Sequence, residues 1–366
     1  MTTEARAGLD ELVASIGPLD AAAMGDTARR LDRLTKPPGS LGRLETVAIE
    51  LAGIRGTPVT AIGRPAIVVF AGDHGVTAQA VSPYPSDVTR QMVANFAAGG
   101  AAINVLAQAA GADLVVVDVG VAGPPFEPLE RPTDAAARTT VVHARVAAGT
   151  RDLSVEPAMT VHEVAAAIAV GRRVVDDLID DGCDLIAVGE MGIGNTTASS
   201  AIVAALLGQP ADRVTGRGTG LDNAGVRRKT AVVEMALARH SLGARRPIDV
   251  LAAVGGLEIA ALVGAILAAA ARHVPVVLDG FITGAAALVA AQLAPDLSAR
   301  LIASHRSPEP GHRLVLEALG LEPVLDLGLR LGEGSGAALA IPIVVAAARI
   351  LGEMATFDDA GVSNRS

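Results

Sequence analysis

The sequence predicts an α/β fold, a mostly parallel sheet wrapped by helices. Three observations carry this. Apolar runs of about five to seven residues alternate with helical patterns of about ten to eighteen. Those runs are rich in Val and Ile, as suits parallel strands buried on both faces. Unusual polar residues follow the runs, at Asp73, His74, Asp118, Glu190, Asp279 and Ser304 to Ser307. In an open parallel sheet, ligands lie outside the carboxyl ends of the strands, so these residues are expected around one cleft.

The elements follow in chain order. Residues 8–34 carry a helical pattern, with Asp20 as the N-cap of its second piece. Thr35 to Leu44 is a break, with Lys36 before Pro37-Pro38-Gly39 in a stiff loop. That loop is either a plain connector or an anion contact. A helix is expected over about 41–55. Ala66–Phe70 is a strand, residues 88–106 a helix, and Leu114–Gly120 the next strand. The Pro-containing stretch 121–160 is expected to be irregular. A helix over 161–177 leads into a strand at Cys183–Val188. After the Gly-rich loop Gly216–Gly220, residues 223–240 are helical. The pattern over 249–256 fits either a strand end or a buried helix. Helices at 258–272, 282–293, 311–319 and 337–350 alternate with strands at 274–280 and 300–304. A short apolar run at 323–327 precedes the last Gly-rich loop, 330–336, and residues 355–366 read as a mobile tail.

Composition narrows the function. The 366 residues carry a formal net charge of −9. No basic run with interleaved aromatics is present, which argues against a nucleic-acid partner. With no Trp, one Tyr and five Phe, helix packing must rest on Ala, Leu, Val and Ile. Cys183 is the single cysteine, so no intrachain disulfide can form. The first residues lack an apolar signal core, and the long uncharged runs carry polar residues. A soluble, cytoplasmic protein with no membrane span is expected.

The most informative stretch is Gly189-Glu190-Met191-Gly192-Ile193-Gly194-Asn195-Thr196-Thr197. It joins a predicted strand to a predicted helix. Gly192 and Gly194 let the backbone approach a phosphate, while Asn195, Thr196 and Thr197 can cap the helix or donate to the anion. A tight βα turn with a solvated Glu is the competing reading. Gly332-Glu333-Gly334-Ser335-Gly336 repeats the theme, with Gly334 and Gly336 as further amide sources. A Glu among Gly and apolar neighbours can have a raised pKa that suits proton transfer. It can also simply favour a helix start. No Walker A sequence, dinucleotide fingerprint, nucleophile elbow or zincin motif occurs. Asp73, His74, His305 and His312 lack metal-ligand spacing on one element, so no metal is expected.

Seven ordered stretches resemble the nicotinate-nucleotide–dimethylbenzimidazole phosphoribosyltransferase family. They are Lys36–Glu45, Phe70–Val76, Pro85–Thr89, Gly189–Thr197, Gly216–Gly220, Leu278–Phe281 and Leu331–Gly336, and they span most of the chain. The resemblance implies a Rossmann-like large domain, set at 61–334. It also implies a small helical domain from both chain ends, set at 1–60 and 335–366, and a homodimer. It implies transfer of 5-phosphoribosyl from nicotinate mononucleotide to 5,6-dimethylbenzimidazole, without metal or cofactor. Glu333 matches the family's catalytic base and Glu190 its second carboxylate.

Lys229 and Ser307, expected to share the cleft, are placed near the nucleotide phosphate with the 192–197 loop. Tyr84, Met92, Met191 and Leu331 lie in or beside the matching stretches and are placed around the flat base. Tyr84 and Met92 stand near positions where some family members carry small or amide side chains, which leaves the preferred base open. The competing functional class is a non-catalytic nucleotide-binding regulator on the same fold.

Overall fold

The structure is a computed structural model that describes residues 2–124, 126, 139–242 and 246–363. Its centre is a six-stranded sheet of β1 (Pro65–Gly72), β2 (Asp113–Gly120), β3 (Thr139–His143), β4 (Leu185–Met191), β5 (Val276–Leu278) and β6 (Leu301–Ala303). The spatial order is β3-β2-β1-β4-β5-β6, and every neighbouring pair is parallel. The order reverses between β1 and β4. Chains leaving these two strands turn to opposite sides and open a crevice at their carboxyl ends.

Burial explains the strand sequences. All eight residues of β1 and all seven of β4 are buried, so neither face needs a polar residue. One face packs under helices Val161–Asp180, Asn195–Leu207, Leu257–Ala271 and Phe281–Leu293. The other packs under Arg43–Arg55, Asp87–Ala97, Ala102–Ala109 and Ser335–Glu353. Helices from both chain ends thus join the same apolar layer as Ile67, Val69, Leu185 and Ala187 of the sheet. Ser335–Glu353 is long and apolar enough to cross a membrane, but its Ala338, Ile341, Val344 and Leu351 are buried in this layer.

The shortage of aromatics is met by close helix contact. A Cβ on Gly171 would collide with the Ala261 carbonyl, and one on Gly264 with the Ile168 carbonyl. Helices Val161–Asp180 and Leu257–Ala271 therefore touch backbone to backbone. Arg300 ties the N-terminal segment to this body. Fully buried, its guanidinium donates to the carbonyls of Gly17 (2.9 and 3.2 Å), Pro18 (3.2 Å) and Ile54 (3.3 Å).

The two-piece reading of residues 8–34 holds: they form helices Thr3–Ala14 and Ala21–Arg33, split at Gly17-Pro18, with Asp20 capping the second through the Ala23 N–H. Several other sequence expectations need correction. The 88–106 stretch is also two helices, parted around Gly99-Gly100. Residues 139–143, expected to be irregular, are the edge strand β3. The rest of that irregular stretch lies partly outside the described residues, at 125 and 127–138. Residues 249–256 are mostly helix, Pro247–Val254. The 323–327 run makes only one bridge, Leu325 to His305. The tail is tied down as far as Ala360: Thr356 bridges to Leu34 and caps the short helix Phe357–Ala360.

Candidate active site

The carboxyl ends of β1, β4, β5 and β6 bring together Asp73-His74, Glu190, Asp279 and Ser304-His305, all buried. The last Gly-rich loop folds over them. Gly332, Glu333 and Gly334 all take left-handed backbone, with φ of 85°, 63° and 84°. Glycine adopts this readily, whereas Glu333 is strained there. Asp279 holds the loop in that shape. Its carboxylate accepts from the backbone N–H of Gly336 (2.7 Å), Gly334 (3.2 Å) and Ala337 (3.2 Å), at the start of helix Ser335–Glu353. The amides of Gly334 and Gly336 are thus committed to Asp279 and shape the loop instead of facing a ligand.

Glu333 and Glu190 meet directly. The Glu333 N–H donates to the Glu190 carbonyl at 3.1 Å. A Cβ on Gly332 would come 2.5 Å from Glu190 Oε1, so only glycine lets the loop lie this close. Burial and the nearby Asp279 charge push the Glu333 carboxyl up to about 7, partly offset by the Ile103 backbone amide. Its Oε2 is buried without a hydrogen-bond partner. Glu190 is pushed well above the usual carboxylate range, chiefly by burial and then by Asp279, Glu258 and Glu333. The Asn195 side-chain amide donates to Glu190 Oε2 and fixes its orientation. One carboxyl is therefore poised to exchange a proton near neutral pH, beside another that favours its neutral form.

The 192–197 loop leads into helix Asn195–Leu207, with Gly194 at φ 99°. The Asn195 N–H donates to the Gly192 carbonyl (3.1 Å) and that of Thr197 to Gly194 (2.9 Å). Thr197 is fully buried, so its hydroxyl faces the interior. Thr196 is the member of this loop that meets the basic group: Lys229 Nζ donates to its Oγ1 at 2.8 Å. Lys229 is fully buried, and desolvation lowers its ammonium to about 8 despite the opposing charge of Glu309. Ser307 is nearby in sequence to Glu309 and accepts from its N–H at 3.3 Å, while its own N–H donates to His312 Nδ1 at 3.0 Å. Burial, with His305 and Arg306 close by, holds His312 down at about 3.

The four residues placed around the base fall into two settings. Met191 is buried and Met92 half-buried, both against the apolar layer that holds Ile103 and Ile193. Tyr84 and Leu331 are 51% and 56% exposed. Lys36, in the first matching stretch, is committed to a buried ion pair with Glu45 at 2.9 Å. This favours the connector reading of its loop.

Two acids went unseen in the sequence. Glu258, in the first turn of an otherwise uncharged apolar helix, pairs with His74 Nε2 at 2.6 Å, both side chains fully buried. Glu309 lies between Pro308 and Pro310 and accepts from the Gly218 N–H at 2.8 Å. A lone acid in an apolar helix, and an acid fixed between two prolines, were the signals available. Among the described residues, no group of three or more His, Cys, Asp or Glu is placed to hold a metal ion.

Known proteins place the chain in a family. A family model described as "Phosphoribosyltransferase" matches residues 16–362. A nicotinate-nucleotide–dimethylbenzimidazole phosphoribosyltransferase from Chloroflexus aurantiacus is 55% identical over 350 residues, covering 96% of this chain and 97% of the relative. One of the same name from Salinispora tropica is 51% identical over 362 residues, covering 98% of this chain and all of the relative. A crystal structure of the Thermus thermophilus enzyme of that name superposes with a TM-score of 0.87 at 48% identity, covering 95% of this chain and 100% of that one. The chain belongs to the nicotinate-nucleotide–dimethylbenzimidazole phosphoribosyltransferase family.

Proposed function

We propose that the protein moves 5-phosphoribosyl from nicotinate mononucleotide to 5,6-dimethylbenzimidazole, giving α-ribazole 5′-phosphate and nicotinate. The product is the nucleotide of the lower ligand of cobalamin. The observation that carries the mechanism is Glu333: a buried carboxyl on strained backbone, poised near pH 7 with Oε2 unpartnered. One benzimidazole nitrogen attacks the anomeric carbon as the bond to the nicotinate ring nitrogen breaks. The bonding pair leaves with the pyridine nitrogen, which becomes neutral. The other benzimidazole nitrogen then gives its proton to Glu333, relieving the charge that builds on the attacking ring. In-line attack inverts the anomeric carbon from β to α.

Glu190, favouring its neutral form, orients base and ribose as a hydrogen-bond donor. The phosphate rests on Thr196 and Lys229, with loop amides from 192–197 and with Ser307 alongside. Met92 and Met191 give the base an adaptable apolar wall, which Tyr84 and Leu331 complete when the site is occupied. The protein works as a cytoplasmic homodimer in this reading. Incubation with nicotinate mononucleotide and a panel of bases, with products identified by mass, tests the reaction. Nicotinate release coupled to a base-linked ribose phosphate is expected. Tight nucleotide binding without turnover of any base would favour the regulator instead.

A further inference from the structure

We propose that Glu309 accepts hydrogen bonds from the ribose hydroxyls of the donor and makes the site selective for ribonucleotides over deoxyribonucleotides. The inference rests on the reading of this pocket as a phosphoribosyl site. It starts from a buried acceptor left half used. Glu309 is 8% exposed. Its Oε1 takes the Gly218 N–H at 2.8 Å, whereas Oε2 is buried with no partner. Glu309 borders a cavity of about 790 Å³ formed with Gly216, Gly218, Asn223, Val226 and Pro308, among others. Gly216 passes so near Oε2 that a Cβ there would collide with it.

The chemistry of the neighbours selects the ligand group. A Cβ on Gly218 would lie 3.0 Å from Thr196 Oγ1 and 3.3 Å from Lys229 Nζ. The same short loop therefore touches the donors assigned to the phosphate and the carboxylate of Glu309. A carboxylate has only acceptors and would repel a phosphate, so a ligand group that reaches Oε2 has to bring donors. Arg217 borders the cavity but is spent elsewhere, donating to the Leu221 carbonyl at 2.8 Å and to Asn223 Oδ1 at 2.5 Å. Lys229 feels the Glu309 charge, but among the described residues the two form no direct hydrogen bond, the Lys229 ammonium donating instead to Thr196 and Gly216. A vicinal diol, a few bonds from a phosphate, supplies such donors. An unfilled acceptor also discriminates against a ligand that lacks the hydroxyl, because a buried polar group then stays unpaired.

The test measures binding to the full-length protein of ribose 5-phosphate, 2-deoxyribose 5-phosphate and 3-deoxyribose 5-phosphate by calorimetry. The wild type is expected to prefer the ribose sugar by roughly 10- to 100-fold over at least one deoxy sugar, the usual scale for a hydrogen bond to a charged group. Glu309→Gln is expected to reduce that preference to under about three-fold while weakening deoxy-sugar binding little. Melting curves check the fold. If Glu309→Gln melts early, Glu309→Asp, which draws the carboxylate back by one methylene, is read the same way. A wild type without preference, an unchanged preference in the variant, or equal loss for all three sugars overturns the proposal. Turnover of nicotinate mononucleotide, followed separately, tells this failure from failure of the reaction itself. Catalysis without sugar discrimination rejects only the role of Glu309, and discrimination without catalysis rejects only the reaction.

Discussion

Replacing Asp279 by Asn tests how the last Gly-rich loop is built and how its acid is tuned. Asp279 contributes in two ways. Its oxygens receive three backbone N–H groups at 2.7–3.2 Å. Its charge also helps to raise Glu333 to about 7, second to burial. In the Asn variant one oxygen remains an acceptor, and the other position becomes an NH₂ that must face amide donors. Losing one to two charge-assisted bonds, with an N–H left unpaired, costs about 1–3 kcal/mol. For a domain of this size that lowers Tm by roughly 1–4 °C.

The pH effect has a definite sign. Removing a negative neighbour favours the ionised form of Glu333, so its pKa falls. Burial stays and is the larger cause, so the fall is partial, about one pH unit or less. Glu333 must be ionised to accept a proton, so activity rises with pH through its pKa. The acid limb of kcat/KM is therefore expected near pH 7 in the wild type and lower in Asp279→Asn. Initial rates of nicotinate release from pH 5 to 9 measure this. A limb that stays in place or moves up would refute the coupling, whatever happens to the overall rate.

Three further outcomes follow from the same geometry. Glu333→Gln is expected to melt higher than wild type at pH 8 and level with it at pH 4. The folded pKa of Glu333 is raised to about 7, so ionisation destabilises the wild-type fold progressively from the ordinary carboxylate range up to that value; a melting gap independent of pH would contradict it. Lys229→Met is expected to raise KM for nicotinate mononucleotide about 10- to 100-fold, and wild-type KM should itself rise above pH 8 as the ammonium, already lowered to about 8, loses its charge; a flat KM between pH 7 and 9.5 would remove Lys229 from the phosphate. Arg300→Met is expected to destabilise the fold by about 2–4 kcal/mol, since four carbonyl contacts lose their donor, while the pH profile of turnover stays put. Chemical denaturation reads the first part, and a near-wild-type midpoint would show that the clamp is energetically idle.

The sequence displayed the sheet where burial was complete on both faces. β1, β2 and β4 are long apolar runs ending in an acid or Gly, and each lies within a few residues of its expected place. β3 was missed because it is a half-exposed edge strand, Thr139-Thr140-Val141-Val142-His143, in a Pro-rich context that hides so short a run. Residues 247–254 stayed ambiguous because six of the eight are buried, which erases the helical period. At the site, Glu190, Glu333 and their glycines were legible because close backbone approach leaves a local trace. The pairings that support them were not, even though Asp279 and His74 themselves stood out at strand ends. Asp279 caps a loop 55 residues on, His74 meets Glu258 across 184 positions, and Glu309 holds Gly218 across 91. Such pairings arise only when parallel strands bring their ends together, and no local pattern encodes them.

The most direct test of the account compares wild type and Glu333→Gln in a single turnover. Each is mixed in excess with nicotinate mononucleotide and 5,6-dimethylbenzimidazole at pH 7.5, a value just above the Glu333 pKa of about 7. Nicotinate release is followed over time, and nucleotide affinity is measured separately by calorimetry. The account predicts a rate lower by about 10²–10⁴-fold in the variant, with nucleotide affinity within a few-fold of wild type. A variant that keeps more than about half the wild-type rate would contradict the role of Glu333 as the base.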